Sequence, residues 1–431
     1  MTKIPHIVII GAGISGLTLG WRLKQQKPHI KLTILEKEQR PGGLIQTSLC
    51  DGFLFERGPH SCRSRDTGVA TLQLIEELGL QSELIGASPA AKKRFIYHGG
   101  RLHPLPMVRT AIECLLKEWR IPRGTAEDES VFDFFVRRCG TRVANTLIDP
   151  LVSGIYAGDM RQLSMQACFP ALYRHEQEHG SLVKGMLANL FKRPQRHKFP
   201  LFTLRHGMEM LIHRLGDRLQ GHLVLNCAAQ SLQVMPDHVE IRTKGMTLHA
   251  DEVFIALPAK ATGTLVSGVL TPPTAVPGSS VAVINMGWDR DVLKRSGFGY
   301  LVPSWEKEEV LGVIWDSAVF PEQNRSPQET RLTVMLGGAH RPDLPRLPEL
   351  QLIQIAKKAL DRHLNIREEP KALLVSVAHE AIPQYTVGHL SRLCSLETQL
   401  KDASQGRIHL LGSAWYGVSV NDCVRSKWTM D

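Results

Sequence analysis

Three glycines at fixed spacing, Gly11, Gly13 and Gly16, follow the apolar run HIVII and open the amphipathic stretch ISGLTLGWRL. Each has a separate use: a tight turn at Gly11, close approach of backbone to a pyrophosphate at Gly13, and a helix laid against the strands at Gly16. A helix starting there aims its unpaired N–H groups and the positive end of its dipole at an anion. Glu36 lies twenty residues past Gly16, at the end of the second apolar strand KLTILEK, where a carboxylate can accept ribose hydroxyls. Strand, turn, helix, strand and acid together read as a dinucleotide site. The fingerprint alone serves NAD and FAD alike.

No rival constellation competes. The eight cysteines are scattered without CxxC spacing and read as reduced thiols, neither a zinc site nor a disulfide framework. There is no Ser-His-Asp or metal set, and the 18 histidines, among them His60, His98 and His103, receive no catalytic role. At 431 residues, with 43% hydrophobic and 22% charged residues, the chain is a folded protein of two or three domains. Lys and Arg exceed Asp and Glu by 52 to 42, and they gather in KKR (92–94), in 101–123 and in KRPQRHK (192–198). That surplus suits an anionic partner. No compact basic and aromatic array argues for nucleic acid. The first strand begins by His6, which leaves no room for a signal peptide, and no run of 18 apolar residues follows, so any membrane attachment is expected to be monotopic.

The elements that must position the turn are legible in outline. A helix is expected to about Gln26, another over 66–80 with Val69, Leu72, Ile75 and Leu78 on one face, and a hairpin over 94–106 turning at Gly99-Gly100. The 107–119 stretch is amphipathic and suits a phosphate-rich surface or core packing equally. Beyond Gly207 a meander ends in the buried-type strand EVFI; strands over 280–288, 297–302, 309–315 and 331–337 suggest a separate sheet, and a helix follows over 348–363. RIHLLG (407–412) returns as a buried strand before a C-terminal helix.

With GAGISG, Glu36, RPGG, FLFERGPH and LLGSAWYGVSVNDC in hand, the chain resembles the flavin-dependent oxidases of the monoamine oxidase and phytoene desaturase superfamily. Within it the chain is similar to the oxygen-dependent protoporphyrinogen oxidases. KKRFIYHGGRLHPLP (92–106), LVSGIYAGDMRQLSMQACFPALY (151–173), SGFGYLVPS (296–304), VLGVIWDSAVFPEQ (310–323), VMLGG (334–338) and GVSVNDC (417–423) carry that likeness, in order. The resemblance implies noncovalent FAD. Gly11, Gly13, Ile14, Ser15 and Gly16 would face the pyrophosphate, and Glu36 and Lys37 the ribose. Arg40, Gly42, Gly43, Gly58, Pro59 and His60 would surround the nucleotide, Ala229 would meet the adenine end, and Trp415, Gly417, Val418 and Val420 would close over the isoalloxazine. Leu44 and His60 stand where the family often has arginine.

The implied fold is α/β: a Rossmann-type FAD-binding domain built from 1–88, 201–264 and 383–431, a mixed-sheet substrate domain over 265–382, and a helical membrane-binding insertion over 89–200. The implied reaction takes six electrons from protoporphyrinogen IX in three flavin cycles, with molecular oxygen as acceptor and hydrogen peroxide as product. Leu151, Gly154, Phe298, Leu301, Ile314 and Met335 would wall the macrocycle, and Arg94 would pair with a propionate. No residue is catalytic in the proton-transfer sense, and no metal is expected. A membrane lipid surface, the cytoplasmic location it implies, a chelatase receiving the product and a second copy of the chain complete the expected partners, the last two left open. Coproporphyrinogen III is the alternative substrate; an amine oxidase or a flavin-free GTPase escort or dissociation inhibitor is more distant.

Overall fold

A computed structural model describes residues 4–105, 118–190, 199–271 and 276–425. Strand β1 (His6–Ile10) is buried along its whole length, as a strand covered on both faces must be. It pairs in parallel with β2 (Lys31–Leu35) on one side and with Glu252–Ile255 on the other. Leu223–Val224 and Ile408–Leu410 complete a five-stranded parallel sheet. Strands from three well-separated stretches of chain therefore share one layer. Helix α1 (Ile14–Gln26) joins β1 to β2 and ends where the Lys27 N–H donates to Leu23 O, one residue before Pro28. At Gly20 it lies so close to the sheet that a Cβ would come within 2.7 Å of Ile34 Cδ1.

A second, seven-stranded sheet runs in the order Ala372–Pro383, Gly278–Trp288, Thr330–Gly337, Val310–Ile314, Gly299–Leu301, Arg94–His98, Arg101–Leu105. All its pairs are antiparallel except Gly299–Leu301 with Arg94–His98. The hairpin turning at Gly99-Gly100, expected from the sequence, is thus an edge of this sheet, although the resemblance places it within the 89–200 insertion. Alternation sorts its faces. Ala282, Ile284, Met286, Leu332, Val334 and Leu336 pack on the helix Glu349–Leu364. The opposite face, carrying Leu301, Ile314 and Met335, stays half-buried.

The second helix spans Gly68–Glu77, shorter than 66–80, and turns Val69 outward. Thr71, Leu74, Ile75 and Leu78 form its buried side, because Thr71 hydrogen-bonds Asn421 and draws that face inward. Most of the amphipathic 107–119 stretch and all of KRPQRHK lie outside the described residues.

Between the sheets' ends sits a helical unit: Val131–Cys139, Asp149–Tyr156, Met165–Cys168, Pro170–His179 and Leu182–Leu190, with a π-helical turn at Ala144–Ile148. Buried ions hold it. The fully buried Arg138 donates from Nε to Glu176 (2.6 Å) and from NH1 to Glu118 (3.0 Å) and Ile121 O (2.9 Å). Glu118 in turn accepts the N–H groups of Leu182 (2.7 Å) and Val183 (3.1 Å). The next residue, Cys139, is disulfide-bonded, which corrects the reading of every cysteine as reduced. Proximity of Cα atoms in space, not spacing in sequence, decides pairing. Cys50, Cys62, Cys168, Cys227, Cys394 and Cys423 are free, and Cys114 lies outside the described residues.

Removing Arg138 leaves the buried Glu118 carboxylate without a cation, while Glu176 keeps Arg137 at 2.7 Å. Arg138→Ala is expected to lower unfolding free energy by about 3–5 kcal/mol, with limited proteolysis cutting first within 118–190. An unchanged melting temperature would refute the assignment of this ion cluster as the unit's anchor.

Candidate active site

The glycine turn does what its spacing requires. Gly11 has φ +106°, and its N–H donates to Leu35 O at 2.8 Å. A Cβ on Gly16 would lie 2.0 Å from Gly11 O, so nothing larger than hydrogen fits. Beside Gly13 there is open space: no atom lies within 4 Å of where its Cβ would stand. Gly13 caps α1 without a side-chain bond, and the first helical bond runs from Leu17 N–H to Gly13 O. The amides of Ile14, Ser15 and Gly16 are left without helical partners. Gly13, Ile14 and Ser15 line a cavity of about 490 Å³.

Glu36 is buried, and its carboxylate accepts Ala12 N–H (2.8 Å) and Glu38 N–H (3.0 Å), so it ties the turn to the second strand. Ala229 starts a strand two residues past Cys227, whose N–H donates to Glu36 O at 2.8 Å. Lys37 points outward and pairs with Glu38. The RPGG loop folds over the turn, with Gly42 N–H donating to Ala12 O at 2.7 Å. Arg40 is engaged within that loop. Its guanidinium reaches Pro41 O (2.9 Å), Gly43 O (2.8 Å) and Glu209 (3.2 Å), and so holds the loop's shape.

Gly58 packs where a Cβ would stand 2.1 Å from Leu44 O, and Pro59 lines the cavity. His60 turns away into a polar array: its Nδ1 meets Asp316 at 2.9 Å, Thr333 Oγ1 donates to Asp316 and lies 2.7 Å from Asn285 Oδ1, and Asn285 donates to Glu56 O at 3.1 Å. Burial opposes charge on His60, but Asp316 and then Glu56 raise its pKa above the usual value. Burial pushes Glu56 up to about 7, against the N–H of Met208.

Val418 and Val420, with Gly412 and Ser413, form the cavity's C-terminal wall. Trp415 is buried in the core beside them, and Gly417, at φ +131°, shapes the turn into the helix Val420–Arg425. Sequence reasoning did not pick out Ala256 to Pro258, the ALP that ends the buried strand Glu252–Ile255 and faces the same cavity. A buried strand breaking at proline beside the glycine turn was the available signal.

The expected apolar wall gathers in two patches. Leu151 and Gly154 share a helix face, and a Cβ on Gly154 would lie 2.6 Å from Leu301 Cδ2. Leu301 registers with Gly312, and Gly312 with Met335, so these residues form one row across the sheet. In the neighbouring row Arg94 registers with Gly299, and Gly299 with Ile314. Phe298 and Ile314 pack against Ile85, Ala91, Val319 and Phe320. The Arg94 guanidinium sits 4.9 Å from the Phe298 ring centroid, and partial desolvation, then the charge of Arg63, lower its pKa. Asp149 accepts Ser304 N–H at 2.6 Å and so docks the Leu151 helix on the strand end.

Comparison with known proteins identifies the family to which this fold belongs. The family described as flavin containing amine oxidoreductase matches residues 14–426. The chain is 36% identical to the human protein named protoporphyrinogen oxidase, over 97% of this chain and 96% of that protein. It is 29% identical to the coproporphyrinogen III oxidase of Bacillus subtilis (strain 168), over 97% and 95%. Its fold superposes with a TM-score of 0.85 on the crystal structure of a protoporphyrinogen oxidase candidate from Exiguobacterium sp. 255-15, at 26% identity over 98% and 97% of the two chains.

The polar array carries a pH signature. Between about 4.5 and about 7 the unfolded chain has lost the Glu56 proton while the folded chain keeps it, so stability falls as pH rises through that window. The raised His60 adds in the same direction: its contribution is complete below the unfolded histidine value and is lost as pH rises through the folded one. Glu56→Gln is expected to flatten the lower part of this slope, worth at most about 3 kcal/mol, in urea denaturation at pH 5 and pH 7. A variant that keeps the wild-type slope would assign it elsewhere.

Proposed function

Because the chain belongs to the flavin-containing amine oxidoreductases, it is an FAD-dependent oxidoreductase, and we propose that it oxidises protoporphyrinogen IX to protoporphyrin IX. The observation that carries the choice is the apolar sheet face with half-buried Leu301, Ile314 and Met335 and with Arg94 over the Phe298 ring at its rim. That face suits a broad apolar ring system bearing carboxylates better than a small amine.

The residues present fit FAD held without a covalent bond. Gly13 leaves the pyrophosphate open space beside the bare amides of α1, Gly11 and Gly16 let the turn and helix pack tightly enough to hold those amides there, and Glu36 keeps lone pairs for the ribose. Arg40 fixes the loop that covers the nucleotide, and Val418 and Val420 stand at the isoalloxazine end. When bound, the flavin supplies hydride acceptance and reoxidation by molecular oxygen, with hydrogen peroxide formed in each of three cycles. The chain's part is to position and to exclude water. Leu301 and Met335, with Leu151 across from them, press on the macrocycle; Phe298 and Ile314 extend the wall. Arg94 binds a propionate and fixes which edge enters.

Coproporphyrinogen III is the second reading, favoured by the charge of Arg63 beside Arg94, which suits an additional carboxylate. Parallel steady-state assays with both porphyrinogens decide between them; turnover of neither overturns the proposal. Arg94→Ala is expected to lower kcat/KM roughly ten- to hundredfold, the worth of a charged hydrogen bond, with flavin content unchanged. An unaltered kcat/KM would move the propionate anchor elsewhere.

The helical unit would rest on the cytoplasmic face of a membrane, where the oily substrate arrives and a chelatase receives the product. Among the described residues no helix is long and apolar enough to cross a membrane. Exposed Ile155, Met186, Leu187 and Trp119, together with the chain's basic surplus, support a monotopic contact. Sedimentation is expected with anionic vesicles more than with neutral ones; equal partitioning would refute it.

A further inference from the structure

Gly412, Ser413, Val418 and Val420 line the cavity at its C-terminal wall, and the turn between them is shaped by glycine, with Gly412 at φ +95° and Gly417 at φ +131°. Such a turn presents peptide groups to a ligand, and their directions depend on whatever grips it from behind. Two side chains of one short segment do so. The Tyr385 hydroxyl donates to Ser413 O and accepts the Gly417 N–H at 2.8 Å, spanning the turn from one end to the other. His389 stacks on the Tyr385 ring, with centroids 4.1 Å apart, and its Nε2 lies 3.0 Å from Trp415 O.

The segment that carries them is itself tied down on two sides. Gln384 N–H donates to Pro277 O (2.8 Å), just before the strand Gly278–Trp288 of the seven-stranded sheet. Ser164 N–H donates to Tyr385 O (2.8 Å), Val387 N–H to Gln162 O (3.0 Å), and Gly388 N–H to Asp128 (2.7 Å), all within the helical unit. Tyr385 is 2% exposed, and burial raises its phenol pKa, so the hydroxyl stays a donor at every working pH.

We propose that Tyr385 is a positioning residue for the oxidation: its hydroxyl sets the direction of the 412–417 peptide groups beside the flavin site and links that turn to the helical unit that includes Leu151 and Gly154. The proposal rests on the reading of the cavity as the FAD site. It goes beyond that reading by making the flavin's electronic environment depend on a side chain outside the cavity lining. His389 supports the same turn through the Trp415 carbonyl.

Tyr385→Phe removes the hydroxyl and keeps the ring on His389. In the purified flavoprotein the variant is expected to retain full FAD content, shift the visible flavin band and lower the flavin midpoint potential. Anaerobic flavin reduction by porphyrinogen is expected to slow about tenfold, the worth of two neutral hydrogen bonds, with the half-saturating concentration unchanged. A merely structural role would lower the melting temperature and leave band, potential and reduction rate as in wild type, and that result overturns the proposal. If Tyr385→Phe does not fold, His389→Gln gives the same readouts through Trp415: a shifted band supports the proposal and an unchanged one overturns it. A shifted band in Tyr385→Phe, in an enzyme whose wild type turns over neither porphyrinogen, upholds the positioning role and refutes the substrate. Wild-type protein that takes up no FAD refutes both.

Discussion

The approach of Gly16 to the carbonyl of Gly11 governs this molecule. A methyl group on Gly16 would stand 2.0 Å from that oxygen, so the helix axis sits at the depth that only hydrogen permits. Lifting α1 by a fraction of an ångström would withdraw its unpaired amides from the cavity. It would also disturb what is stacked on the turn: the Glu36 carboxylate holds Ala12 N–H, Gly42 N–H holds Ala12 O, and Gly43 lies against Gly13. The loop fixed by Arg40 then has its seat only because the turn beneath it is compact. One close contact between backbones thereby sets the floor, the acid and the cover of the site.

The larger sheet shows a similar economy. Its alternation commits one face to the helix Glu349–Leu364, a closed apolar core, and leaves Leu301, Ile314 and Met335 half-buried on the other. The lone parallel pairing, Gly299–Leu301 with Arg94–His98, lets a hairpin from early in the chain bring Arg94 to the edge of a face built mostly from residues beyond 278. Beside the apolar rows, the His60, Asp316, Thr333 and Asn285 array supplies polarity without exposing it, because each member is satisfied by the next.

How much of this was legible follows from the distance over which each feature is decided. The glycine turn, α1, the Gly99-Gly100 hairpin and the helix 349–364 rest on local periodicity or on backbone freedom, and all were readable. Arg40 and His60 enter the site only by resemblance; their partners Glu209 and Asp316, 169 and 256 positions away, become visible only in the fold. The strand Ala372–Pro383 escaped notice because its register breaks opposite Ser279 and Val281 and Glu380 takes φ +48°, which disrupts the alternation that announces a strand. Val69 misled because Thr71, a polar residue, owns the inward direction through Asn421. For the candidate site, the fingerprint and Glu36 were visible as residue types, while the rows joining Leu301, Gly312 and Met335 exist only once strands are in register.

The central position of β1 has a consequence for how the chain is made. β2 leaves the ribosome soon after it, but the neighbour on the other side does not: His6 meets Asp251 across a separation of 245 positions. At about 5–20 residues per second, an all-apolar strand waits roughly 12–50 s with one edge bare. An open apolar edge recruits any other strand within reach. Until Glu252–Ile255 arrives, that edge must be kept from other strands by something outside the sheet, for the better part of the chain's synthesis.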